Sequence, residues 1–253
     1  MPSNSDHFNS GQARRRFLKQ LGLLGTAAVT SSYTLLEVRK ANAAASPAVT
    51  NTKRWGLLIA TDKCSSGCDD CVRGCNEEHG LTSSGRDEID AQWIRKIDLQ
   101  DKLSGRKSSL PVMCQHCESA PCVDVCPTGA SFKRADGVVL VNSHTCIGCR
   151  YCMMACPYKA RSFIHETLTN QLAVAPRGKG TVESCTLCVH RIDAEEDQQP
   201  ACAVACSDAG HGAILFGDLN DAGSEISQKI AAQGATQIRS DLELNTGVRY
   251  TGI

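Results

Sequence analysis

The chain is poor in the side chains that ordinarily fill a core. Only 4% of its 253 residues are aromatic: five Phe, four Tyr and two Trp. Large rings usually supply much of the apolar area that a domain buries. An excess of either charge is missing too, since 27 Lys and Arg stand against 27 Asp and Glu. The basic footprint of a nucleic-acid binder is therefore not expected. Beyond residue 45 no apolar run approaches the length of a membrane helix, so the mature chain is not expected to span a bilayer by itself. There is no P-loop, no Gly-rich dinucleotide fingerprint and no Gly-x-Ser-x-Gly elbow, which argues against an autonomous enzyme. The seven histidines are scattered without metal-ligand spacing. Disorder is excluded in turn, because 42% hydrophobic and 21% charged residues match ordinary globular usage.

What the chain has in excess is cysteine. Sixteen lie between Cys64 and Cys206, and none elsewhere. They form four groups of four. Group one is Cys64-x3-Cys68-x2-Cys71-x3-Cys75, and group two is Cys114-x2-Cys117-x4-Cys122-x3-Cys126-Pro127. Group three is Cys146-x2-Cys149-x2-Cys152-x3-Cys156-Pro157, and group four is Cys185-x2-Cys188-x13-Cys202-x3-Cys206. Group three reproduces the bacterial ferredoxin run that ligates four-iron, four-sulfur clusters. Three thiolates two residues apart on a tight turn converge on three corners of one cubane. The fourth reaches the other cluster of a pair, and the proline after it suits a first helical turn, so a helix is expected to start there. Disulfides and structural zinc are the competing readings. The first makes four repeats of a cluster spacing accidental, and the second ordinarily uses two separated Cys-x2-Cys pairs, often with His.

The first 45 residues read as a targeting segment. Arg14-Arg15-Arg16-Phe17-Leu18-Lys19 is a basic start, roughly Leu21 to Leu36 is mildly apolar, and Ala41-Asn42-Ala43-Ala44-Ala45 supplies small residues for cleavage. The paired arginines followed by Phe-Leu-Lys resemble a twin-arginine export signal. Six of the 27 basic and two of the 27 acidic residues fall here, leaving 21 against 25 in a mildly acidic mature chain. Export by that route implies that the chain travels already folded around its cofactor, which reconciles reduced thiolates with an oxidising periplasm.

Along the remainder, Trp55–Ala60 reads as a strand entering group one, and 90–99 as a strand inside an insertion spanning 76–110. Residues 130–134 and 138–142 flank Asp136-Gly137, a strong hairpin signal. A second hairpin is expected from Ala160 to Leu172-Ala173-Val174, ahead of the Gly-rich 177–180 loop. The acidic stretch 189–201 reads as a solvated loop, Ala213–Phe216 as a strand, and 224–233 as an amphipathic helix capped by Ser224. The tail after Ile238 is expected to wrap the surface. The fold class is α+β, with short strands and helices in two nested ferredoxin-like modules. The inner module is 111–165, the outer one is split between 53–110 and 166–220, and a tail covers 221–253; together these occupy the 46–253 domain.

On these motifs the chain, over residues 53 to about 220, resembles the four-cluster ferredoxin-like electron-transfer subunits of the dimethyl-sulfoxide-reductase type. Within that group, the Cys146–Phe163 stretch, Phe216-Gly217-Asp218-Leu219-Asn220-Asp221 and Thr246-Gly247-Val248-Arg249-Tyr250 are similar to the periplasmic iron–sulfur subunits of Dsr transmembrane complexes. The resemblance implies four [4Fe-4S] clusters with exchanged ligands. One inner cluster takes Cys114, Cys117, Cys122 and Cys156, and the other takes Cys146, Cys149, Cys152 and Cys126. One outer cluster takes Cys64, Cys68, Cys71 and Cys206, and the other takes Cys185, Cys188, Cys202 and Cys75. Group one has three residues between its first two cysteines where many relatives have two.

The function implied is electron transfer, without a substrate of the chain's own, as a periplasmic subunit of a membrane-bound redox complex of sulfur metabolism. The implied partners are an integral-membrane quinone-interacting subunit and a cytochrome c subunit. The alternative is the electron-transfer subunit of a molybdopterin polysulfide or tetrathionate reductase, or of a nitrite reductase system. Lys133, Arg150, Lys159 and His116 lie near the motifs and are candidates to raise cluster potentials through positive charge; solvated or helix-capping roles are the alternative for each.

Overall fold

Trp55–Ala60 forms strand β1 as expected, and its unbroken apolar run has a structural reason. The strand is central, paired antiparallel with β8 (Ile214–Asp218) through Ile59 and Ile214. On its other side it pairs in parallel with β9 (Val248–Thr251) through Leu57 and Val248. Leu57, Ile59, Val248 and Tyr250 are fully buried there. The tail therefore does not wrap the surface. It ends inside the main sheet, because Tyr250 fills the core and its hydroxyl is satisfied at depth. That oxygen accepts from Gln115 Nε2 at 3.1 Å and donates to the Pro111 carbonyl at 3.1 Å. The coordinates are a computed structural model and describe residues 49–86, 88–169, 171–194 and 198–253. The segment read as an export signal lies outside the described residues, as do Glu195, Glu196 and Asp197 of the acidic stretch.

Three two-stranded ladders surround this sheet. In the first, β2 (Ile94–Gln100) pairs antiparallel with β3 (Lys107–Met113) across a turn containing Gly105. Residues 90–93, expected to begin the strand, lie outside it, and the segment before them is tied back by the Asp90 carboxylate. It accepts from the Ser83 and Ser84 hydroxyls and from the Ser84 and Arg86 amides. In the second ladder β4 (Ser131–Lys133) and β5 (Val139–Val141) make the hairpin expected around Asp136-Gly137.

The third ladder corrects the sequence reading. Strand β6 (Ser162–Phe163) pairs with β7 (Val182–Glu183), whereas Leu172–Val174 forms a turn. Arg177 explains the difference. It makes a two-pronged, nearly buried ion pair with Glu183 at 2.8 and 2.7 Å and reaches the Gly80 carbonyl at 3.2 Å. That fork fixes the Gly-rich loop, so the chain returns as a strand only after Gly180.

Six α-helices lie among the described residues: α1 (Asp70–His79), α2 (Pro121–Asp124), α3 (Tyr151–Ala155), α4 (Val189–Ile192), α5 (Ala201–Asp208) and α6 (Glu225–Gln233). The Ser224 hydroxyl caps α6, accepting from the Ser227 amide at 3.3 Å. Helix α4 lies in the stretch expected to be a solvated loop. Ile192 is buried, and Asp193 beside it receives both amino groups of Arg134 at 2.7 Å, so this segment packs onto the inner hairpin. A second correction concerns Cys126 and Cys156. Neither starts a helix; each follows a short one, and no helix resumes after its proline. Left-handed backbone at Gly129 and Lys159 turns the chain away. The molecule is thus α+β, made of short elements.

Helices α1 and α5 touch where neither has bulk. A Cβ on Gly74 would lie 2.5 Å from Ala205 Cβ and 3.2 Å from the Ala201 carbonyl oxygen. Gly74→Val is therefore expected to force the helices apart and destabilise the iron-loaded protein by about 1–3 kcal/mol. Thermal unfolding measures this, and Ala205→Gly in the same chain should return part of the loss. An unchanged Tm would mean that the contact is not a packing constraint.

Candidate metal centres

All sixteen cysteines are free thiols; eleven are buried and Cys149 alone is exposed. The disulfide reading therefore has no pair in the structure. Instead the sulfurs gather into four neighbourhoods. Cys64 and Cys71 both feel the charges of Cys68 and Cys206. Cys185 feels Cys75, Cys202 and Cys188 most, and Cys114 less. Cys114, Cys122 and Cys156 surround Cys117. Cys126, Cys146, Cys149 and Cys152 line one small cavity under the 146–150 loop. Each neighbourhood draws three cysteines from one motif and one from another.

The local backbone explains the convergence. Cys71 and Cys75 lie four apart on α1, and Cys202 and Cys206 four apart on α5, so each helix presents both sulfurs on one face. With the helices packed at Gly74, each offers one sulfur to either outer neighbourhood. The extra residue of group one is absorbed by a turn: the Cys68 amide reaches the Ser65 carbonyl at 3.3 Å, with Gly67 at φ +83°. Beyond it the Cys68 thiol donates to Asp70 Oδ2 at 3.3 Å, an oxygen also 3.3 Å from His211 Nε2.

The neighbourhoods also adjoin one another. Cys71 acts on Cys202, Cys114 acts on Cys185, and Cys122 acts on Cys152. That order links the four in a line, from Cys64, Cys68, Cys71 and Cys206 at one end to Cys126, Cys146, Cys149 and Cys152 at the other.

The donor set fits iron–sulfur clusters. Backbone amides point at sulfur as at an anion: Ser131 to Cys126 at 3.4 Å, Val182 to Cys146 at 3.5 Å, Leu187 to Cys185 at 3.4 Å, Ala201 to Cys188 at 3.4 Å and Ala213 to Cys206 at 3.3 Å. Yet burial, with repulsion among neighbouring sulfurs, pushes the Cys71 and Cys117 thiols up to about 12. Burial likewise pushes Cys114 to about 12 and Cys188 to about 11. Sulfurs this crowded and dry become thiolates only when a cation compensates them.

Two residues that the sequence reading passed over touch this sulfur. His79, buried at the end of α1, places Nε2 3.3 Å from Cys188 Sγ and packs on Trp93 with ring centroids 4.4 Å apart. Arg161, also buried, donates from Nη2 to Cys122 Sγ at 3.1 Å. The sequence signal for Arg161 was its place five residues after Cys156, no stronger than that of Lys159.

The four expected tuning residues fare differently. Lys133 is held by the Glu118 carbonyl at 2.8 Å and by its carboxylate. The Arg150 guanidinium lies 4.3 Å over the Phe163 ring, and Lys159 is exposed. His116 is buried, and its Nδ1 accepts from the Val139 amide at 3.1 Å. Burial, aided by the Arg161 charge, pushes its pKa down to about 3. The imidazole is therefore neutral and brings no positive charge to the sulfurs.

Comparisons with known proteins also point to iron–sulfur clusters. Residues 107–218 match the family model described as a 4Fe-4S dicluster domain. The chain is 36% identical to an iron-sulfur subunit of the Hdr-like menaquinol oxidoreductase of Archaeoglobus fulgidus, over 94% of this chain and 97% of that protein. It is 37% identical to a putative dimethyl sulfoxide reductase iron-sulfur subunit of Halobacterium salinarum, over 78% of each. It is 34% identical to a tetrathionate reductase subunit of Salmonella typhimurium, over 87% of this chain and 79% of that protein.

Proposed function

The chain belongs to the iron–sulfur electron-transfer subunits of the dimethyl-sulfoxide-reductase type, and from that premise we propose that it is the four-cluster, periplasmic wire of a membrane-bound redox complex of sulfur metabolism. Its partners on this reading are an integral-membrane quinone-interacting subunit and a cytochrome c. When bound, a [4Fe-4S] cluster supplies a one-electron carrier that changes little in shape. The observation carrying the proposal is the set of four mixed neighbourhoods joined in a line. Cys64, Cys68, Cys71 and Cys206 hold the first cluster, and Cys75, Cys185, Cys188 and Cys202 the second. Cys114, Cys117, Cys122 and Cys156 hold the third, and Cys126, Cys146, Cys149 and Cys152 the fourth.

The nested modules follow from the same sets. Groups two and three make a contiguous inner pair, residues 111–165. Groups one and four make the outer pair, split between 53–110 and 166–220, with the 221–253 tail packed beside it. The remaining segment, residues 1–45, serves as the twin-arginine signal. The fourth centre lies at the surface. Cys149 is exposed, and so are Ile147, Tyr151 and Met154 around it. An apolar rim of this kind is usually covered by a partner, and it marks the point where electrons enter or leave.

The second reading, a molybdopterin reductase subunit, is favoured by the Halobacterium and Salmonella relatives, whose names assign them to dimethyl sulfoxide and tetrathionate reductases. The likeness to the Archaeoglobus menaquinol oxidoreductase subunit runs over more of both chains, which supports the first. Purification of the complex from native membranes decides between them. About sixteen iron and sixteen acid-labile sulfide per chain are expected, together with a membrane subunit and c-type haem. A molybdopterin subunit in place of the haem would favour the second reading, and a colourless, iron-free chain would overturn both.

A further inference from the structure

Arg161 is a buried cation whose counter-charges are sulfur. The residue is 5% exposed. Among the described residues no carboxylate pairs with it, whereas the other nearly buried arginine, Arg177, has Glu183. Its Nη1 group is buried without a hydrogen-bond partner, and Nη2 donates to Cys122 Sγ at 3.1 Å. The sulfurs whose charge, as thiolates, acts on the guanidinium are those of Cys122, Cys114 and Cys152. The first two belong to one inner neighbourhood and the third to the other. An unpaired guanidinium removed from water is strongly disfavoured unless permanent negative charge surrounds it. Neutral thiols do not supply that charge, but thiolates fixed on a cluster do.

We propose that Arg161 is a positioning residue shared by the two inner clusters, which raises the reduction potential of both and screens the repulsion between them. The inference rests on the cysteine assignment proposed above. A cluster held by four thiolates becomes more negative by one charge on taking an electron. A fixed cation beside it therefore favours the reduced form, and hydrogen bonds to sulfur act in the same direction. Placed between two clusters, one guanidinium does this for both. The planar fork suits the role because its amino groups diverge from a single charge.

The test is an EPR-monitored potentiometric titration of the purified full chain, with iron and sulfide counted on the same sample. In Arg161→Gln the midpoints of two clusters are expected to fall while the other two stay. Arg161→Lys keeps the charge and loses the fork, so the same two midpoints should fall by less. Wild-type midpoints in Arg161→Gln at full iron content would overturn the proposal, as would an equal fall of all four. Should neither variant hold its iron, the wild-type chain carrying 15N in its arginine guanidinium groups answers instead. Pulsed EPR of the reduced inner pair is expected to show coupling to that nitrogen, and its absence would overturn the proposal. A wild-type chain with far fewer than sixteen iron would instead count against the cysteine assignment, which separates the two failures.

Discussion

Stripping the iron is expected to unfold the described domain. Chelation after oxidation of the clusters should abolish most of the far-UV circular dichroism and the cooperative thermal transition, along with the visible absorption. The proposed clusters join segments far apart in sequence: Cys71 to Cys206, Cys75 to Cys202, and Cys122 to Cys156. The other joins are made by short elements, with strands of two to seven residues and aromatics at 4% of the chain. Metal binding by structural thiolate sites is worth on the order of 10 kcal/mol or more. The whole stability of a domain is about 5–15 kcal/mol, so losing several such cross-links exceeds the margin.

Alkaline pH should deepen the effect. In the metal-free folded chain, burial raises the Cys71 and Cys117 thiols from their ordinary 9.0 to about 12. A proton held more firmly in the folded state stabilises it fully below pH 9 and progressively less as pH climbs toward 12. Structure surviving iron loss at pH 7 is therefore expected to disappear near pH 10. An iron-free chain with native dichroism and an unchanged Tm would show that apolar packing alone sustains the fold.

The second large effect comes from pairing cysteine substitutions. If Cys126 serves the centre of Cys146, Cys149 and Cys152, the double variant Cys126→Ala with Cys149→Ala damages one site. The double variant Cys126→Ala with Cys117→Ala damages two. Iron content should fall by about four in the first and about eight in the second, with one and two EPR signals lost. Contiguous motifs that each filled their own cluster would give the opposite: eight for the first pair and four for the second. The measurement turns on non-additivity, since two changes at one site cannot remove it twice. An outcome in the contiguous order would overturn the ligand exchange and the nested modules with it.

Local chemistry accounts for what sequence reading recovered. Asp136-Gly137 between short apolar runs can do little but turn, and β4 and β5 formed there. Ser224 followed by an amphipathic run gave the cap and helix α6. It failed where a distant partner decided the outcome. Leu172–Val174 has strand composition, but the Arg177–Glu183 fork moved the return strand to Val182. The stretch after Cys188 is polar enough for a loop, but Asp193 meets Arg134 and draws it into helix and packing.

By itself, the sequence determined the chemistry. Sixteen thiols in ferredoxin spacing admit few uses, because cubane corners dictate how close along the chain three ligands must stand. Which sulfur neighbourhoods adjoin, and where Arg161 lies beside them, were decided only in three dimensions. Spacing along a chain marks which three neighbouring sulfurs can meet one cluster. Which clusters adjoin, and which charge lies between them, depends on how packed helices and loops bring separate segments together, as Arg161 shows beside Cys122 and Cys152.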